Sequence, residues 1–182
     1  MIKKLIKEFI YRIRGEYTVD KLIKMGLTVG KNFNPQLGFE LDPSHCHLIE
    51  IGDNVTFGPH VQILAHDASM YAYLGYTKIG RVRIGDNVFI GAGSIVMPNV
   101  TIGKNSVIGA GSIVTKSVPE GCVYAGNPAK IICKTSDFIM RNKKNMETCK
   151  IYDESYTLRG NVSDEKKKEQ KDDLINGIGY VK

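Results

Sequence analysis

Residues 84–119 read IGDNVFIGAGSIVMPNVTIGKNSVIGAGSIVTKSVP. An apolar β-branched residue returns every six positions, at Ile84, Ile90, Val96, Ile102, Ile108 and Val114, and glycine follows it in four of the six units. Neither an amphipathic helix nor a half-buried strand repeats in sixes. A triangular coil does. If each hexad is one short strand plus a corner, three hexads close a turn and residues eighteen apart stack: Ile84 on Ile102, Ile90 on Ile108, Val96 on Val114. Successive turns then pair at the ~4.8 Å spacing of β-strands, and the stacked aliphatics fill a narrow interior. Position i+4 is small or β-branched in every unit (Val88, Ser94, Val100, Ser106, Ser112, Val118), which suits a second inward position beside a tight corner. Glycines, with Asp86-Asn87 and Lys104-Asn105, suit the corners themselves.

The rest of the composition sets limits. At 182 residues and 42% hydrophobic, the chain has the length and apolar content of one folded domain. No apolar run approaches the ~18 residues of a membrane span. Lys3, Lys4, Lys7 and Glu8 interrupt residues 1–14, so these do not read as a secretory signal. The chain is expected to be cytoplasmic, and Cys46, Cys122, Cys133 and Cys149, which lack metal-type CxxC spacing, are expected to be reduced thiols. The net charge of +6 is not gathered into a basic patch with interleaved aromatics, which argues against a nucleic-acid partner.

Three parts follow: a helical segment over 1–26, the coil over 27–134 with an excursion loop at 66–78, and a helical extension over 135–182. Ile2, Leu5, Ile6, Phe9, Ile10 and Ile13 fall on one helical face opposite Lys3, Lys4, Lys7 and Arg14. That helix either packs on the end of the coil and covers its open strand edge, or lies on an anionic membrane surface, at the inner face of the membrane. A short second helix is expected over 19–25. Hexads extend backward through Phe57 and Ile51, with Leu27, Phe33 and Phe39 at the same phase. After Ile63 the phase is lost and returns three residues out of step, since 84 − 51 = 33. The chain therefore leaves the coil near His66 and rejoins it before Ile84; loops that interrupt a rigid scaffold are where function concentrates. The coil is expected to end near Ile132, and Ser163 reads as the N-cap of a charged helix.

The hexads, AHDAS at 65–69, GYTKIGRVRIGDNVFIGAGSIV at 75–96 and VIGAGSIVTKSVPEGCVYAGNPAKII at 107–132 resemble the hexapeptide-repeat acyltransferases, in the branch of maltose, galactoside and surface-polysaccharide O-acetyltransferases. The resemblance implies an all-β core that is a left-handed parallel β-helix of hexapeptide repeats, flanked by the helical segments. It also implies a homotrimer with acetyl-CoA as co-substrate in the groove between coils, and a sugar or polysaccharide acceptor.

The chemistry needs few groups. A sugar hydroxyl is a poor nucleophile near neutral pH, so a base must accept its proton as it attacks the thioester, and imidazole suits this because it titrates near neutral pH. Backbone N–H groups stabilise the oxyanion; neither a metal nor a covalent intermediate is required. By motif position the resemblance makes His66 the base. The alternative for His66, as for His45, His47 and His60, is a structural role, and those three can also line the acceptor site. Asp67 either orients His66 or touches the acceptor, although neighbouring strand residues point to opposite faces. Gln36 and Asp42 lie where relatives bind the acceptor sugar. Tyr71, Tyr73 and Tyr76 offer apolar faces on which a sugar can stack, or pack on a neighbouring subunit. For acetyl-CoA the resemblance carries over to Ala92 and Ala110 in the two IGAGS units, to Thr115 and Lys116, and to Lys130 near the phosphates.

Two rival activities remain. The γ-type carbonic anhydrases share the β-helix and bind zinc through three histidines; here the late pair, His60 and His66, is six apart rather than five. An amino sugar would make the enzyme an N-acetyltransferase.

Overall fold

A computed structural model describes residues 17–182. The chain divides into a unit ending at Thr135 and a unit of Ser136–Lys182. The helix expected over residues 2–13 lies outside the described residues. Among those described, no helix is long and apolar enough to cross a membrane.

The first unit is a left-handed parallel β-helix with three faces. The first face stacks Thr28–Val29, Ile49–Ile51, Val82–Ile84 and Thr101–Ile102. The second stacks Asn34–Pro35, Thr56–Phe57, Phe89–Ile90, Val107–Ile108 and Cys122–Ala125. The third stacks Glu40–Leu41, Gln62–Ile63, Ile95–Val96 and Ile113–Val114. The expected eighteen-residue register is the observed one: Ile84 pairs with Ile102, Ile90 with Ile108 and Val96 with Val114, all parallel. These six side chains are buried, each contributing about 1.5–3 kcal/mol through burial.

Three coils depart from eighteen, each for a visible reason. The first spans twenty-two residues, with Val29 beside Ile51, Pro35 beside Phe57 and Leu41 beside Ile63. Leu27, Phe33 and Phe39 are therefore not at the leading inward phase expected for them. They precede the first-coil strands, at the second inward position, and a loop through Asp42 and the short 3-10 turn Cys46–Leu48 takes up the extra residues. The second coil spans thirty-three, with Ile51 beside Ile84, and contains the excursion. The last is two short: Val118 bridges to Ile102 and so takes the leading inward place rather than the second. The coil then ends by reversing. Lys130–Lys134 runs antiparallel to Cys122–Ala125, leaving Ile131 and Ile132 exposed rather than continuing the hexads.

The corners are built from residues that accept positive φ. Asn32, Asn54, Asn87 and Asn105 all have φ near +56° and form a ladder through their side-chain amides, at 2.8, 3.1 and 3.1 Å. Inside, Ser94, Ser106 and Ser112 are fully buried, and their hydroxyls donate to the carbonyls of Gly109, Pro119 and Gly109. Such pairing is what permits small polar side chains at inward positions.

Helix Val19–Lys24 carries Thr18 as its N-cap, and the buried Cys46 thiol donates to the carbonyls of Leu22 and Met25 at its end. The second unit contains helices Thr135–Met146 and Asp164–Asp173, the latter capped by the Ser163 hydroxyl accepting from Lys166 N.

Candidate active site

The excursion begins where the third face hands over to the first. Ala65 is still fully buried; His66–Asp67 then pairs antiparallel with Lys78–Ile79, and a helical turn, Tyr71–Leu74, crosses between them. Gly75 ends that turn at φ +69°, a left-handed conformation glycine adopts freely. His66 thus stands at the root of the hairpin, on a paired strand, with about a third of its side chain exposed.

Its partner is Asp42, one coil below, whose side chain has no exposure. Because the first coil is twenty-two residues long, Asp42 comes level with Leu64, beside Ala65 and His66. One carboxylate oxygen accepts from Ala65 N at 3.0 Å and from His66 Nδ1 at 2.5 Å; the other accepts from Ser44 N at 3.1 Å and His45 N at 3.3 Å. Burial by itself would raise this carboxyl's pKa. The hydrogen bonds from His66 and Ala65 N, the charge of His66 and the bond from Ser44 N outweigh it and hold the group below its ordinary value. An ionised Asp42 keeps the ring proton on Nδ1, which leaves Nε2 with a free lone pair. Asp42, expected to contact the acceptor, has a side chain with no exposure, and its oxygens accept four hydrogen bonds, one of them from the His66 ring.

Asp67 has a different part from orienting His66. It accepts from Ser69 N at 3.0 Å and pairs with Lys78 at 3.2 Å, and these contacts lower its pKa to about 2. Asp67 therefore pins the two ends of the hairpin. Tyr71, Tyr73 and Tyr76 are exposed along the excursion together with Leu74 and Ile79.

The positions expected to meet acetyl-CoA bracket the third face. Ala92 and Ala110 sit at the corner entering it and stack directly. A Cβ on Gly91 would lie 2.4 Å from Ala110 N, and one on Gly58 2.6 Å from Ala92 N, so only glycine permits this approach of successive coils. Thr115 and Lys116 lie at the corner leaving the same face, at the edge where His66 stands. Thr115 follows Val114 as Leu64 follows Ile63, two coil steps away, or about 10 Å along the axis. Lys130 is exposed beside Ala125 in the terminal hairpin, and Ala129 N bonds Ile113 O at 2.8 Å, tying that hairpin to the third face. Gln36 is exposed at the entering corner, the opposite edge of that face from His66. His60 occupies a corner at φ +59°, its ring over Gly38.

His45, expected to be structural or to line the acceptor site, stands beside the His66–Asp42 pair. Its ring lies 5.3 Å from that of His66, and its Nδ1 is buried without a hydrogen-bond partner. An orphaned buried nitrogen of this kind costs roughly 1–3 kcal/mol. Asp42, His45 and His66 each offer one ligand atom within 4.8 Å of the others, which makes them a set able to hold a metal ion.

A three-faced parallel coil with a histidine–carboxylate pair at the root of its excursion defines a class rather than a single enzyme, and the comparisons identify that class. The family model described as bacterial transferase hexapeptide (six repeats) matches residues 81–116. The protein CapG of Staphylococcus aureus is 36% identical over 168 residues, 88% of this chain and 91% of CapG. Among solved structures, a maltose O-acetyltransferase from Clostridium difficile 630 aligns with TM-score 0.53 at 37% identity, over 63% of this chain and 73% of that one. A hexapeptide-repeat acetyltransferase from Vibrio cholerae, solved with acetyl-CoA, aligns with TM-score 0.54 at 28% identity, over 60% of each chain. The chain belongs to the hexapeptide-repeat acetyltransferases and is an enzyme of acetyl transfer.

Proposed function

We propose that this chain is an acetyl-CoA-dependent O-acetyltransferase acting on a sugar or surface-polysaccharide hydroxyl, with residues 27–134 as its catalytic part. The observation that carries this reading is the 2.5 Å contact between the buried Asp42 carboxylate and His66 Nδ1. It leaves Nε2 of a side chain about a third exposed to act as the base, at the edge of the face that bears Thr115 and Lys116. The acceptor hydroxyl gives its proton to Nε2 as its oxygen attacks the thioester carbon; the tetrahedral intermediate collapses, and the proton passes to the leaving thiolate of coenzyme A. Asp42 stabilises the transient imidazolium without itself taking the proton, as in other histidine–carboxylate pairs.

Two similarities support the ligands: a related structure holds acetyl-CoA, and another is a maltose O-acetyltransferase. Ala92 and Ala110 offer close backbone approach to the pantetheine arm, and Thr115, Lys116 and Lys130 the polar and cationic contacts. One thin coil exposes the face bearing these positions, so a neighbouring copy is needed to enclose the cofactor, and the working form is a homotrimer. The test is thiol release from acetyl-CoA with a panel of sugars, amino sugars and oligosaccharides, alongside light scattering. Transfer to a hydroxyl by a trimer is expected; transfer confined to amino groups, or an active monomer, overturns the corresponding part.

A further inference from the structure

We propose that Asp42, His45 and His66 form a binding site for a divalent transition ion, Zn²⁺ in particular, whose occupancy switches the base off. The consequence for catalysis rests on His66 being that base; the site itself does not.

Three observations converge. The three residues present one ligand atom each within 4.8 Å of one another: Asp42 and His45 from the loop after Glu40–Leu41, His66 from the next coil. Two imidazoles and one carboxylate are a donor set suited to zinc and its neighbours. The His45 Nδ1 is buried and has no hydrogen-bond partner, although the neighbouring His45 N–H bonds Asp42. A nitrogen in that condition calls for a water or an ion, and the ring that carries it lies 5.3 Å from the His66 ring, with one of its nitrogens within 4.8 Å of ligand atoms of Asp42 and His66. The adjustment required is small. With ligand bonds of about 2.0–2.1 Å, a tetrahedral ion spaces its donors roughly 3.4 Å apart. The His66–Asp42 contact opens from 2.5 Å, and His45 swings toward it.

The effect on chemistry follows from the ring. A nitrogen that ligates a metal offers its lone pair to the ion, so with Nδ1 ligated the ring's proton stands on Nε2. The nitrogen that would take the acceptor's proton then carries one already and can only donate. The ion also replaces the carboxylate contact that holds the imidazole as a base.

The test uses the full chain stripped with a chelator. Cobalt(II) is titrated first, because its visible absorption reports low coordination by nitrogen and oxygen. One equivalent per chain is expected, displaced by Zn²⁺. In His45→Ala, and in His45→Gln as a bulkier second variant, affinity falls at least tenfold while the circular dichroism of the coil is retained. Acetyl transfer is then measured in chelator and with one equivalent of Zn²⁺. A loss of at least tenfold is expected in the wild type, reversed by chelator, with the ratio of the two rates returning toward one in both His45 variants. Absence of cobalt binding, or binding unchanged in the His45 variants, overturns the site. Transfer unaffected or raised by bound zinc overturns the switch. If the cobalt site forms but transfer survives His66→Ala, the base assignment has failed and the ion site stands.

Discussion

Residues 84–114 and the two coils before them are built on the same triangular plan, yet they answer to different demands. In the later coils every turn takes eighteen residues, each inward position is apolar or serine, and every corner has an asparagine or glycine able to sit at positive φ. In the earlier pair the turns take twenty-two and thirty-three residues, and the surplus carries Asp42, His45, His66 and the exposed tyrosines. The regular part supplies stability and a face along which a ligand can lie. The irregular part supplies groups whose positions depend on that regularity but whose identities do not serve packing. Substitutions in the two parts should therefore separate activity from stability.

The largest expected effect falls in the irregular part. His66→Ala should lose ~10²–10⁴ in kcat, the usual worth of positioned proton transfer, with the KM for acetyl-CoA and the melting temperature close to those of the wild type. Asp42→Asn should lose a similar order, because a neutral amide no longer selects the Nδ1–H tautomer. Wild-type turnover in either variant, measured by thiol release with its acceptor, would sink the mechanism.

Next comes the regular interior. Phe57 is fully buried beneath Ile90, so Phe57→Ala should cost about 3–5 kcal/mol. Phe89, one residue before Ile90 on the outer surface and 45% exposed, serves as the control, and Phe89→Ala should stay within about 0.5 kcal/mol. Denaturant melts of the pair check this; equal losses would mean that the outer face is itself an interface.

How much of this was legible in the sequence follows the same division. The stacking of Ile84, Ile90 and Val96 on their partners could be read because an inward position tolerates only a few residue types, and that constraint repeats. The terminal hairpin misled for the same reason. Ile131 and Ile132 are apolar at about the right spacing, but the chain reverses before them and they are exposed. Leu27, Phe33 and Phe39 were six apart and apolar, which hid a two-residue phase slip between them and Ile51, since second inward positions are apolar too. That slip mattered most. A first coil of twenty-two residues brings Asp42 beside His66; a whole number of hexads does not, and the adjacent Asp67 is then the carboxylate left to consider, although neighbouring strand residues point to opposite faces. The excursion was legible as lost phase, but nothing in a lost phase says which carboxylate faces which ring.

Lys130 tests the ligand side with a smaller effect. As a phosphate contact it acts alike on ground and transition states, so Lys130→Ala should raise the KM for acetyl-CoA roughly tenfold with kcat little changed. A fall in kcat at constant KM would move Lys130 from cofactor binding to the chemistry.

The smallest effect is at the hairpin. Asp67 has its carboxyl lowered from 3.8 to about 2 by Ser69 N, the Ser69 side chain and Lys78. A folded-state pKa below the unfolded value means that the contact contributes fully above about 4 and is lost as pH falls through about 2. The amide of Ser69, which donates to Asp67 at 3.0 Å, reports this directly through hydrogen exchange. Its protection should hold from pH 7 to 5 and fall below 4. In Asp67→Asn it should be reduced already at pH 6, while the amide of Ile95, bonded to Ser112 O at 2.8 Å inside the coil, stays protected in both proteins. The excursion would then be a separately pinned element on a rigid coil, able to loosen without the fold. If Ser69 and Ile95 lose protection together, loop and coil open as one unit, and the separation between the irregular and regular parts does not extend to their dynamics.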